Sequence, residues 1–167
     1  MGLLTFIKSA GEKLFGKHEA QAAAAPAAAS AAPDPGAANR AAAAAILAYI
    51  KTQNLATIGI TITFDAASAT VKVTGSVPDQ ETKEKIVLCC GNVEGVEHVE
   101  EEILVEQVEP EAQFYTVVKG DNLSKISKIH YGDPNKYLVI FEANKPMLKH
   151  PDKIYPGQML RIPPRES

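Results

Sequence analysis

Tryptophan is absent from this 167-residue chain and aromatic side chains make up only 6% of it, so any stacking of a sugar ring falls to a few tyrosines and phenylalanines. No stretch approaches the ~18 consecutive apolar residues of a membrane-spanning helix. The opening Met1 to Lys8 lacks the basic flank of a secretory signal, and Lys8, Glu12 and Lys13 interrupt the apolar core such a signal needs. The segment is therefore expected to be retained, and the protein to be cytoplasmic with no stable membrane insertion. Basic residues are not in excess either: the formal charge is −3, which excludes a general attraction for nucleic acid. Cysteine is limited to the adjacent pair Cys89 and Cys90. Neighbouring Cα atoms, about 3.8 Å apart, are too close for an unstrained disulfide, so the pair reads as small apolar residues inside a helix, with free thiols suited to a reducing cytosol. Catalytic signatures are missing too. His18, His98, His130 and His150 are scattered, with neither H-x-x-x-H nor H-E-x-x-H spacing, and no G-x-S-x-G occurs. The expectation is a binding protein, not an enzyme. The acidic run from Glu97 to Glu106 has no EF-hand spacing, and its glutamates fall on alternate faces of a strand, so it reads as a solvated edge.

The residues that are present divide the chain. Leu3, Ile7, Ala10 and Leu14 recur at helical spacing, so residues 3–15 predict a short amphipathic helix, too short to stand alone in water. It needs a surface to dock on: the adjoining domain, or a membrane, the latter weakened by its few cations. Residues 19–38 are an Ala/Pro tract broken by Pro26, Pro33, Pro35 and Gly36, which reads as a tether. Ile46, Leu47 and Ile50 then mark a helix that Asn39 is placed to cap. Alternation follows. Ile58, Ile60, Ile62 and Phe64 share one face, and Val71, Val73 and Val77 repeat it beyond a turn at 65–68, predicting a hairpin. Asp79 caps a second helix through Ile86, Cys89, Cys90 and Val93, Gly91 supplies its terminator, and a third strand runs from Val96 to Val105. After the polar break at 109–112 comes a strand from Tyr115, a Gly120 turn, one helix marked by Ile126 and Ile129, another marked by Leu138, Phe141 and Ala143, and a closing strand beyond Pro156-Gly157. The fold class is α+β.

Two pairs of motifs carry a family resemblance. Val71-Lys-Val-Thr-Gly75-Ser-Val77 and Val93-Glu-Gly95-Val96-Glu-His-Val99 resemble the BON domain family, which implies an αββαβ domain over 39–108; Glu101 stands where the family pattern carries asparagine. Gly120-Asp121-Asn-Leu123 and Tyr155-Pro156-Gly157-Gln158-Met-Leu160-Arg-Ile162-Pro163 resemble LysM domains, which implies βααβ over 113–164. The full order is then an amphipathic segment at 1–18, the tether at 19–38, the BON domain, a linker at 109–112 and the LysM domain. With Tyr131-Gly-Asp-Pro134-Asn and Phe141-Glu-Ala-Asn144-Lys-Pro-Met-Leu, nearly the whole chain resembles the bacterial potassium-binding proteins of the BON–LysM type.

Residue chemistry and resemblance meet at one loop. K⁺, large and weakly hydrated, suits several neutral carbonyl oxygens in place of its water shell. The loop Cys90 to Val96 follows a helix C-terminus, where unpaired carbonyls and the negative end of the helix dipole favour a cation, and Gly91 and Gly95 permit positive φ. An ordinary helix stop beside a docked helix explains the same residues. The resemblance implies K⁺ held by main-chain oxygens of Ile7, Ala10, Gly91, Val93 and Val96; because the ion needs both segments together, a conformational change on binding is expected, and the protein is expected to be a monomer. A LysM domain implies instead, or in addition, recognition of N-acetylglucosamine polymers such as peptidoglycan between the loop Gly120, Asp121, Asn122, Leu123 and the loop from Asn144 to Ile154. Asp121 is equally explained as the cap of the helix that follows.

Overall fold

The structure, a computed structural model, describes residues 2–5, 35–93, 95–145 and 147–165. In chain order the elements are β1 (Gly2–Thr5), α1 (Pro35–Thr52), β2 (Thr61–Asp65), β3 (Thr70–Asp79), α2 (Gln80–Gly91), β4 (His98–Gln107), β5 (Gln113–Thr116), α3 (Leu123–Tyr131), a 3₁₀ turn (Pro134–Lys136), α4 (Tyr137–Ala143) and β6 (Met159–Ile162). This is an α+β protein with αββαβ and βααβ halves.

The first half is built on a four-stranded sheet in the order β1-β4-β3-β2. The hairpin pairs Ile62 with Val73 and Phe64 with Val71, and Asp65 closes its turn by accepting from the Ala67 amide at 3.2 Å and the Ser68 hydroxyl at 2.6 Å. Ile58 does not share the buried face. It is 95% exposed, because Gly59 turns the chain at φ 80° and the strand begins only at Thr61. Helix α1 starts four residues before the predicted cap, at Pro35, since proline's fixed φ suits a first helical turn and the alanines after it propagate. Asn39 is therefore inside the helix, and its side chain accepts from the Ala66 amide at 3.2 Å, tying α1 to the hairpin. Ala42, Ala43, Ile46 and Ile50 form the face buried against the sheet.

Asp79 caps α2 as the sequence predicts, accepting from the Thr82 amide at 2.7 Å, and β4 then runs parallel to β3 with Val71 beside Val99. At the N-terminus the prediction fails over residues 3–5. These belong to β1, antiparallel to β4, with Gly2 beside Glu101 and Thr5 beside His98; the remainder of the predicted helix and most of the Ala/Pro tract lie outside the described residues. An αββαβ unit leaves one edge of β4 without partners, and a short apolar segment that satisfies those amides and carbonyls gains more than an isolated helical turn would.

In the second half β5 pairs antiparallel with β6, Tyr115 beside Leu160, over a core of Val117, Leu123, Ile126, Ile140, Leu148, Leu160 and Ile162. Gly132 ends α3 in the left-handed region at φ 77°. Ile129 and Leu138, predicted to mark the inward faces, are 60% and 52% exposed. The buried positions of α3 are Leu123, Ile126, Ser127 and Tyr131, a stripe from which Ile129 falls out, while on α4 Ile140 and the predicted Ala143 are buried and the predicted Phe141 packs against the core.

The two halves share an interior. Met147 and Met159 from the second half join the core of the first, with Phe114 packed against it, so α2 touches the sheet on one side and β6 on the other. Glu84 of α2 is buried there, with one carboxylate oxygen accepting from Gln80 at 2.9 Å and from the Ala112 amide at 2.8 Å, and the other from Arg161 Nε. Every acceptor and charge at this point has a partner, the condition on which a buried ion pair is tolerated.

Candidate functional site

The loop that leaves α2 is held from several directions. Gly91 is the last helical residue and Asn92 the cap, at φ −86° and ψ 5°, so Gly91 belongs to the helix it was expected to terminate and Val93 lies beyond it. Gly91 does not take positive φ; Gly95, at 92°, does. The Asn92 amide donates to Leu88 O at 2.9 Å, the Val93 amide to Cys90 O at 3.4 Å and the Val96 amide to Val93 O at 3.2 Å. Val93 and Val96 are buried in the core, and the amides of Glu97 and His98 both donate to Ala69 O, at 2.8 and 3.1 Å, fixing the exit into β4. The main chain thus makes a short tight coil at a helix C-terminus whose last turn carries no basic residue. The negative end of that dipole is not offset by a side chain of the same helix.

The pairing of β1 places Thr5 beside His98, two residues from Val96. Gly91, Val93 and Val96 lie within six positions of one another along this coil; Ile7 and Ala10 lie outside the described residues. Neutral main-chain oxygen is the donor chemistry on offer. Among the described residues no three His, Cys, Asp or Glu side chains gather as a metal cage. Two of the four glutamates of β4 are ion-paired: Glu102 with Lys72 at 3.0 Å and Glu101 with Lys83 at 3.1 Å, and Glu101 also accepts from the Ile103 amide at 3.2 Å. Cys89 and Cys90, fully buried just before the loop, are free thiols. Burial pushes Cys89 well above the ordinary thiol value and Cys90 up to about 12, so both stay protonated and serve as packing.

The residues predicted for glycan are mostly committed elsewhere. Asn144 is buried, its amide nitrogen donating to Ile140 O at 2.7 Å and Arg161 O at 2.8 Å while its oxygen accepts from the Arg161 amide at 2.7 Å. It bridges α4 to β6. Leu123 belongs to the core and Ile154 packs against it. Asn122, not Asp121, caps α3, accepting from the Lys125 amide at 2.8 Å. Asp121 accepts from the Tyr115 hydroxyl at 2.7 Å and the Val118 amide at 3.1 Å and pairs with Lys125 at 3.1 Å. Burial pushes its carboxyl up, but these bonds outweigh that and hold it below the usual carboxylate value. Gly120 and Asn122 remain exposed.

Sequence reasoning missed Asn92 and the Glu84–Arg161 pair, which join the two halves. Arg161 between Leu160 and Ile162 on a strand, where both neighbours are buried, was the available signal; Asn92 reads in sequence only as a helix stop.

Residues 38–107 match the family described as BON domain and residues 115–163 the family described as LysM domain. The chain is 40% identical over 171 aligned residues to the potassium binding protein Kbp of Escherichia coli O6:H1, with 98% of this chain and 99% of that protein covered. It is 51% identical over 49 residues to an uncharacterized protein of Deinococcus radiodurans, covering 29% of this chain and 19% of that protein.

Proposed function

The chain belongs to the family of potassium binding protein Kbp, and from that premise we propose that it is a monomeric, non-catalytic K⁺-binding protein of the cytoplasm. The ion is held by main-chain oxygens of Gly91, Val93 and Val96 together with those of Ile7 and Ala10. The observation that carries this reading is the register of β1. With Thr5 beside His98, the last described residue before Ile7 and Ala10 lies two positions from the loop, at a helix C-terminus whose last turn carries no basic residue. Because the ion needs both segments at once, it stabilises only the state in which they meet, and binding is a conformational change.

Calorimetric titration with KCl and NaCl at matched ionic strength, on the full chain and on a chain lacking residues 2–15, tests this. Saturable binding that prefers K⁺ and disappears on truncation is expected. Equal response to both salts, or binding that survives truncation and is lost when Glu100, Glu101 and Glu102 become glutamine, would move the site to the acidic strand. A second reading, recognition of an N-acetylglucosamine polymer by the LysM half, is favoured by the LysM match and by the exposed Gly120 and Asn122. Sedimentation with insoluble peptidoglycan tests it directly.

A further inference from the structure

Among the described residues of the cation loop, Asn92 hydrogen-bonds through its side chain to the other half of the molecule. It sits between Gly91 and Val93, two of the residues assigned to the ion, and it is 2% exposed. Its carboxamide nitrogen donates to Met159 O at 3.2 Å, and its oxygen accepts from the Met159 amide at 3.4 Å. Both polar atoms of the side chain therefore close on one peptide residue of β6, as two residues of neighbouring strands would. Asn92 is also the helix cap, its own amide bound to Leu88 O. With the amide fixed from inside α2 and the carboxamide fixed from β6, the Cα–Cβ direction of Asn92 is set, and with it the planes of the peptides on either side.

We infer that Asn92 is a positioning residue for the K⁺ site: by gripping the Met159 peptide it fixes the direction of the Gly91 and Val93 carbonyls, and so sets the preference for K⁺ over smaller cations. This rests on the K⁺ reading above. Discrimination among alkali cations by carbonyls depends on how many oxygens face the ion and how freely they close on it. A loop whose peptide planes can tilt closes on Na⁺ as readily as it opens for K⁺. The Glu84–Arg161 pair holds the same two halves together but touches no peptide of the loop, and so serves as the control.

The experiment is titration of the full chain, N92A and R161M with KCl and with NaCl, alongside thermal unfolding with and without K⁺. N92A is expected to lose about 10-fold in K⁺ affinity, the size of a typical coupling between sites, to lose less affinity for Na⁺, and to show a smaller rise in Tm on adding K⁺. R161M is expected to lower Tm in both conditions and leave the K⁺/Na⁺ ratio as in the unsubstituted chain. Should N92A not fold, N92S, which cannot make both bonds to Met159, is read by the same ratio. An unchanged ratio in the Asn92 variants overturns the positioning role while leaving K⁺ binding intact. An equal fall in that ratio for R161M assigns the effect to docking of the halves in general and overturns it as well. Absence of saturable K⁺ binding by the unsubstituted chain overturns the K⁺ reading and this inference together.

Discussion

Arg161 and Glu84 are 7% and 3% exposed, and a buried charge stripped of its partner is among the costliest single changes a fold can suffer. Arg161→Met should lower stability by about 3–5 kcal/mol in urea unfolding, and Glu84→Gln in the same chain should restore most of the loss, because the glutamine oxygen can still accept from Ala112 and Gln80. Failure of the second change to rescue the first would mean that the packing of Arg161, not its charge, is what matters. Asp121 acts through pH. Its carboxyl is held below the usual value in the folded state, so its contribution is fully present above the unfolded pKa, about 3.9, and is lost as pH falls through the lowered folded value. Acid unfolding of Asp121→Asn should lack that segment of the pH dependence, and the difference between the two proteins should be flat above about pH 5.

At the scale of elements, the hairpin depends on Gly75. A Cβ there would lie 2.2 Å from Gly59 O, and the residue sits at φ +141°, a region other side chains avoid. Gly75→Ala should cost about 3 kcal/mol or more, measured as a fall in Tm, whereas Gly120→Ala, with open space around it, should show only the smaller cost of its positive φ. Alternation and capping made β2, β3 and α2 legible, because Val71, Val73 and Asp79 each report a purely local periodicity or hydrogen bond. Ile58, Ile129 and Leu138 misled for the complementary reason: an apolar residue at a plausible spacing says nothing of whether a neighbour arrives to cover it. The opening segment was misread because β1 exists only through the unpaired edge of β4, some ninety-odd positions later in the chain. The loop at 91–96 was legible as a helix end next to glycines, while its brace from Met159 was not, since a contact spanning 67 positions leaves no trace in either segment.

Across the whole molecule, charge is divided between the halves. Residues 35–112 carry five Lys and Arg against twelve Asp and Glu, while residues 113–165 carry nine against four. Opposite net charge draws the halves together, and salt weakens that attraction, the screening length being about 10 Å at 0.1 M. Choline chloride should therefore loosen the two halves, while on the proposed K⁺ site KCl at the same ionic strength should not, because an ion held there would brace the loop that touches β6; fluorophores on the two halves would report the distance. Identical curves in the two salts would separate cation binding from docking. The burial of α2 between the sheet and β6 reaches back further, to the birth of the chain. A ribosome makes α2 long before it makes Met159 and Arg161, 67 and 77 positions on from their partners Asn92 and Glu84. Throughout that interval the flank of α2 that later meets β6 lacks its cover and Glu84 lacks Arg161, so the first half carries a surface that is completed only when the second half folds.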